Sequence, residues 1–372
     1  MERPNKGKET RNRYPQNMRF IGCKTRLLPF IQDALSRRIG GQVDSAGDLF
    51  CGTGAVSKLL KRNNVRVTAN DNLRFCYVLA KAALGVNSEP PFRALVDSGE
   101  APRLGKEGLF SAPYDKVLAF LNELPGKPGF IFREYSPGGT VNGEFRRSYF
   151  TDENAQRIDA LREKISDWEK KGLVNETEAC LLIADLIHAA NRVANIAGTY
   201  GCFIKHWDPR AHKRLTLKRS EIISSPYQHQ VFCKDANALA REQYFDVLYL
   251  DPPYTWRHYG AYYHILETIA RADQPAVVGQ TGLRPWEDSK SRYCDRSDAA
   301  NALEELTRSA QCKHLYLSYN SEGLIEHDEI MSILSLRGRP VCSEIGYRRY
   351  RSNNGGNRSK PLKERLYYVQ IS

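Results

Sequence analysis

The segment DLFCGTG (48–54) constrains this chain more than any other. A short strand, roughly 47–50, runs into a glycine turn, and the following helix carries Ala55, Val56, Leu59 and Leu60 on one face. Glycine lets backbone approach a ligand closely, and a helix N-terminus presents unpaired N–H groups to a polar or anionic group. VRVTAN (65–70) reads as a second strand and 74–85 as a second helix, with an earlier helix at 25–38. This β-α-β-α order opens a doubly wound α/β sheet, whose ligands bind outside the carboxyl ends of the strands.

From about residue 90 the rhythm breaks. PGKPGFIFREYSPGGTVNG (125–143) reads as loop or ribbon, 152–171 as a charged helix and 177–197 as a long apolar helix. Alternation resumes with strands at 230–233 and 245–250, a helix at 259–271, a helix at 301–310 and a strand at 314–319. The end reads as two antiparallel strands, 341–350 and 365–371, joined by the basic loop SNNGGNRSKP. The expected organisation is a basic arm (1–16) and an α/β body (17–90 and 226–372) split by an insertion (91–225).

The 372 residues are 41% hydrophobic and 26% charged, which excludes wholesale disorder, and no run is apolar enough to span a bilayer. The first residues have no apolar stretch after their charges, so no secretory signal is expected. Cys23, Cys51, Cys76, Cys180, Cys202, Cys233, Cys294, Cys312 and Cys342 show no zinc-knuckle spacing and read as free thiols in a reducing cytoplasm. His258 and His264 flank YGAYY with no third ligand evident, so no metal is expected.

The net charge of +12 is clustered: residues 1–26 carry +6, 205–219 carry +5 and 337–365 carry +7. Clustered positive charge, interleaved with Trp207, Tyr347 and Tyr350, is the footprint of a chain that neutralises nucleic-acid phosphates. A solvated basic surface is the bland alternative.

Asp71 ends the second strand nineteen residues after Gly52, where an acidic residue binds ribose hydroxyls in such sheets; a helix-capping Asp is its structural alternative. A dinucleotide site wants Gly or Ala at position 57, where Ser57 stands, so NAD is disfavoured. The strand FDVLYL runs into Asp251-Pro252-Pro253-Tyr254. The exocyclic amine of adenine is a poor nucleophile because its lone pair is delocalised into the ring. Asp251 and the Pro252 carbonyl can accept both of its N–H groups and free that lone pair to attack a methyl sulfonium, on a backbone that two prolines stiffen. Tyr254 offers a face for an unstacked base.

In motif order the chain resembles the Dam-like family of S-adenosylmethionine-dependent DNA adenine-N6 methyltransferases over most of 17–372. Phe20-Ile21-Gly22-Cys23-Lys24 is similar to the family's opening aromatic–x–Gly–Gly–Lys, with Cys23 in place of a glycine. Phe50 to Gly54 is similar to its Phe–x–Gly–x–Gly turn, and LYLSYNSEGLI (315–325) to its strand ending in Ser-x-Asn. The resemblance implies a Rossmann-like methyltransferase sheet with antiparallel C-terminal strands and an inserted, mostly helical DNA-recognition domain. It implies that Phe20, Lys24, Phe50, Gly52, Gly54, Asp71 and Asp235 hold S-adenosyl-L-methionine, and that Asp251, Pro252 and Tyr254 act on a flipped adenine in double-stranded DNA. Lys205, Arg210, Arg348, Arg349, Arg351 and Arg358 are the candidate DNA contacts. A cognate restriction endonuclease, acting separately, is a possible partner in the cytoplasm. The rivals are a cytosine-N4 methyltransferase, of nearly the same amine chemistry, and a catalytically silent DNA-binding regulator.

Overall fold

The computed structural model describes residues 18–39, 43–101, 112–347 and 362–371. Its first half runs α1 (Leu28–Arg38), β1 (Ser45–Asp48), α2 (Ala55–Arg62), β2 (Arg66–Asn70) and α3 (Arg74–Gly85). Five helices follow: α4 (Arg93–Ser98), α5 (Pro113–Glu123), α6 (Phe130–Tyr135), α7 (Asp152–Lys170) and α8 (Glu176–Val193). The chain then forms β3 (Gln230–Phe232), α9 (Ala236–Glu242), β4 (Tyr244–Leu250), α10 (Tyr259–Tyr262) and α11 (His264–Arg271). It ends with α12 (Ala299–Ser309), β5 (Gln311–Asn320), α13 (His327–Ser335), β6 (Val341–Tyr347) and β7 (Leu362–Gln370).

The strands make one sheet in the order β3-β2-β1-β4-β5-β7-β6. The first five are parallel, and β7 is antiparallel to both β5 and β6. The expected α/β class with antiparallel C-terminal strands is therefore found. Side chains alternate between the two faces of the sheet. Val247, Tyr249 and Tyr316 join Ala46 and Val67 on one face, while Leu248, Leu250, Leu315 and Leu317 pack on the other. Both faces are covered, as a parallel sheet requires.

The helices between α3 and β3 share a core with the sheet's own helices. Phe75 and Leu79 of α3, Leu182 and Leu186 of α8, and Ile265 and Ile269 of α11 belong to one buried cluster. Asn175 starts α8 with a reciprocal cap: its side chain accepts the Glu178 N–H at 3.0 Å, and its own N–H donates to Glu178 Oε2 at 3.1 Å. That cap and the apolar run fix α8 within a few residues of its expected bounds.

Three expectations are corrected. The segment 125–143 is not all loop, because α6 forms inside it. The Asp159 carboxylate on α7 accepts the N–H groups of Gly129, Ile131 and Phe132 at 3.1, 2.9 and 2.8 Å, so this helix is capped from another element. The helix expected over 259–271 breaks at Tyr263, where φ is −123° and ψ 24°. The strand expected at 47–50 begins and ends earlier, at Ser45 and Asp48, and Leu49 already lies in the turn.

Candidate active site

The carboxyl ends of β1, β2, β3 and β4 open onto one cleft. Phe20, Lys24, Phe50, Gly52, Asp71 and Asp235 line it, and so do Asp251, Pro252 and Tyr254. Gly54 sits one residue behind this lining, as the residue before α2. Tertiary structure thus gathers nine of the ten expected cofactor and catalytic residues around one space.

Gly52 and Gly54 hold φ of +50° and +73°. A Cβ on Gly52 would lie 3.3 Å from the Phe20 ring, so the turn is close-packed as well as left-handed. Phe20 is buried and stacks on Tyr263 with centroids 4.7 Å apart. Its segment is anchored on both sides. The Ile21 N–H donates to the Tyr263 hydroxyl at 2.7 Å, and Arg19 Nη1 donates to the Ile196 carbonyl at 2.7 Å. Cys23 has φ −56° and ψ 120°, which any residue adopts, so replacing a glycine there costs the backbone nothing.

Asp71 does both local jobs that its position allows. Its Oδ2 accepts the Gly52 N–H at 2.9 Å and its Oδ1 the Leu73 N–H at 3.1 Å. The next two amides of α3 belong to another group: Glu267 accepts the Arg74 and Phe75 N–H groups at 3.1 and 3.0 Å. Burial lifts the Asp71 carboxyl to about 6. Asp235 caps α9 by accepting the Ala238 N–H at 2.9 Å, and Phe50 packs edge-on against Tyr293.

Asp48 opens the DLFCGTG segment, where the sequence reading assigns it no role of its own, yet it shapes the cleft. Ser57 donates to its Oδ2 at 2.6 Å, while its Oδ1 is buried with no hydrogen-bond partner among the described residues. Burial pushes this carboxyl up to about 7, with Asp251 and Asp71 adding to the rise. Asn70 is a second omission. Its amide nitrogen donates to the Leu49 and Lys234 carbonyls, both at 3.1 Å, and its oxygen accepts the Lys234 N–H at 3.1 Å. One side chain thereby fixes the ends of three adjacent strands.

On the catalytic side, the Lys24 ammonium lies 2.9 Å from Asp251 Oδ1 and 2.7 Å from Glu364 Oε1. Burial alone would lower the Lys24 pKa, but the two carboxylates hold it well above its ordinary value. Asp251 is pushed up to about 7, chiefly by burial, with Lys24 pulling down and Glu364 pushing up. Lys24 also sits 5.7 Å from the centre of the Tyr254 ring. Tyr254 meets Tyr319 edge-on at 6.1 Å.

This arrangement can hold a nucleoside at the glycine turn and a second flat group at the tetrapeptide. A family model described as D12 class N6 adenine-specific DNA methyltransferase matches residues 20–333. The chain belongs to this family. Three curated relatives align over 95% of it. They are the Type II methyltransferase M.FokI of Planomicrobium okeanokoites (38% identical), modification methylase StsI of Streptococcus sanguinis (34%) and Type II methyltransferase M.NlaIII of Neisseria lactamica (34%). The chain spans about half the length of the first two, 52% of each, and 98% of the third.

The remaining candidates of this D12 class chain lie elsewhere. Lys205 and Arg210 are exposed, and Arg210 Nε is 2.9 Å from Asp208. Arg348, Arg349, Arg351 and Arg358, with the arm 1–16, lie outside the described residues. The His258 ring lies tilted against Trp286 with centroids 4.8 Å apart, and His264 is buried with Nε2 3.0 Å from the Tyr200 carbonyl. Among the described residues no group of His, Cys, Asp or Glu could hold a metal ion, and no helix is long and apolar enough to cross a membrane. All nine cysteines are free.

Glu364 is a third residue that sequence reasoning missed. It stands within a basic tail, where a lone acid carries no signal. Its place opposite Asn320 in the β5–β7 ladder gives it meaning.

Proposed function

We propose that this chain transfers a methyl group from S-adenosylmethionine to adenine N6 in double-stranded DNA, at a specific sequence. One observation carries the reading: the glycine turn, Asp71 and the Asp251–Tyr254 tetrapeptide line a single cleft.

The residues fit that cofactor. When bound, it supplies an electrophilic methyl on a sulfonium. Asp48, whose buried Oδ1 has no partner among the described residues, suits the cationic amino group of its methionine part. Asp71 and the Gly52–Gly54 turn suit the ribose, with Phe20, Phe50 and Asp235 around the base.

The target adenine leaves the duplex, because its amine cannot be reached inside the stack. Tyr254 takes its face. Asp251 Oδ2 and the Pro252 carbonyl accept its two N–H groups, since Oδ1 is held by Lys24. As the nitrogen turns tetrahedral, its lone pair forms the new N–C bond and the C–S bond breaks. The surplus proton then leaves the nitrogen toward Asp251, whose position near neutrality suits a transient acceptor.

Residues 91–225 read the site, and Lys205, Arg210, Arg348, Arg349, Arg351 and Arg358 neutralise phosphates. A cognate endonuclease acting separately and a cytoplasmic location complete the reading. The test is transfer of tritiated methyl to mixed-sequence duplex DNA, followed by digestion to nucleosides. N6-methyladenine is expected, with none from Asp251→Ala. N4-methylcytosine, or equal labelling by the variant, would overturn the proposal.

A further inference from the structure

The Lys24 ammonium is held between two carboxylates, and only one belongs to the tetrapeptide. The other, Glu364, also accepts the Ser318 hydroxyl at 2.7 Å on Oε1, and Asn320 Nδ2 lies 3.4 Å from its Oε2. Lys24 is 5% exposed and Glu364 2%, so both charges are out of water. Burying a second anion is costly, and an ammonium needs only one to be neutralised. Glu364 is not among the side chains lining the cleft, so it stands behind Lys24 rather than against a substrate.

We propose that Glu364 is a positioning residue of the methyl transfer: through the Lys24 ammonium it holds the Asp251 carboxylate in the pose that receives the target amine. The inference rests on the reading of Asp251 given above. Pinned from both sides, the ammonium cannot swing onto the second oxygen of Asp251, the one that the amine needs. The rear anion also balances Lys24, so that Asp251 is not locked as a strong ion pair. The other titratable groups facing Asp251 are Asp48 and the phenols of Tyr249, Tyr254 and Tyr259. Asp48 is the one other acid among them.

Glu364→Gln keeps the shape and removes the charge. The expected result is a kcat lowered roughly 10–100-fold, less than the roughly 100–10,000-fold of a lost acid–base group, because Glu364 acts only through Lys24. KM for DNA and cofactor should stay within about twofold, because Glu364 does not line the cleft. The acid limb of kcat/KM should move to lower pH, by about one unit, because removing an anion favours ionised Asp251. Glu364→Asp should restore part of kcat. An unchanged kcat and limb, or a lower kcat with an unmoved limb, overturns the proposal, the second outcome marking a purely structural role. Should Glu364→Gln not fold, Ser318→Ala loosens the same carboxylate, and the limb should move less but in the same direction; an unmoved limb again overturns it. Asp251→Asn, run alongside, separates the two readings. An active Asp251→Asn enzyme sinks the role of Asp251, whereas an inactive one beside an unaffected Glu364→Gln sinks that of Glu364 alone.

Discussion

Asp71 Oδ2 accepts the Gly52 N–H at 2.9 Å, so the carboxyl that ends β2 also clamps the turn that ends β1. Two adjacent parallel strands are tied at the point where a cofactor would meet them. Removing the carboxyl leaves two amides without their acceptor, at Gly52 and Leu73. Asp71→Ala should lower stability by about 1–3 kcal/mol. It should also weaken S-adenosylmethionine binding at least tenfold, the equivalent of about 1.4 kcal/mol. Calorimetric titration and urea unfolding read the two effects separately, and unchanged values in both would remove Asp71 from the site.

Lys61 predicts a stability effect with no catalytic one. Its buried ammonium donates to the carbonyls of Ala83, Leu84 and Val86 at 2.9, 3.1 and 2.8 Å, closing the C-terminal end of α3. Burial lowers its pKa to about 8, and those carbonyls are what keep the charge tolerable. Lys61→Met should cost about 2–4 kcal/mol, because acceptors are left unpaired in the interior. Cofactor affinity, measured where the variant is still folded, should match the parent. An undiminished urea midpoint would show that the carbonyls find other partners.

A stability profile against pH tests the buried acids. Burial pushes Asp185 up to about 7, although Ser220 donates to its Oδ1 at 2.6 Å and Tyr114 donates to its Oδ2. Asp48 rises to about 7 for the same reason. Between about 4 and 7 the folded chain keeps protons that the unfolded chain has released. Stability from these groups is therefore present at the acid end of that window and is lost as pH rises through it. Asp185→Asn should flatten the decline of the urea midpoint between pH 4 and 7. A slope as steep as the parent's would show that Asp185 is ionised in the folded protein.

The basic clusters predict a salt effect. DNA affinity should fall steeply and log-linearly with salt concentration, by counterion release. Neutralising Arg348, Arg349 and Arg351 together should reduce the slope by about 0.9 for each phosphate that these arginines no longer neutralise. Fluorescence anisotropy across a salt series measures both. A slope that does not change would mean that these arginines leave the phosphates alone.

Much of the site was legible because its parts are local. A glycine turn between a strand and a helix, an acid at the next strand's end and a proline-stiffened tetrapeptide each obey short-range rules. The resumed strand–helix rhythm likewise marked β4 and β5, and the apolar run marked α8. The α6 helix was illegible for the opposite reason: its cap, Asp159, comes from α7 and not from the residues beside it. Capping of α3 is divided in the same way, between nearby Asp71 and distant Glu267.

The order of motifs along the chain settled what chemistry these residues suit, because backbone turns and strand ends are set by neighbours in sequence. Only the folded sheet decided which charges meet. Lys24 reads locally as one more cofactor contact, yet β7 inserts antiparallel beside β5 and brings Glu364 to its ammonium, with Asp251 on the other side. Coulomb interactions depend on distance in space and on the exclusion of water, and neither quantity is written in the spacing of residues along a chain.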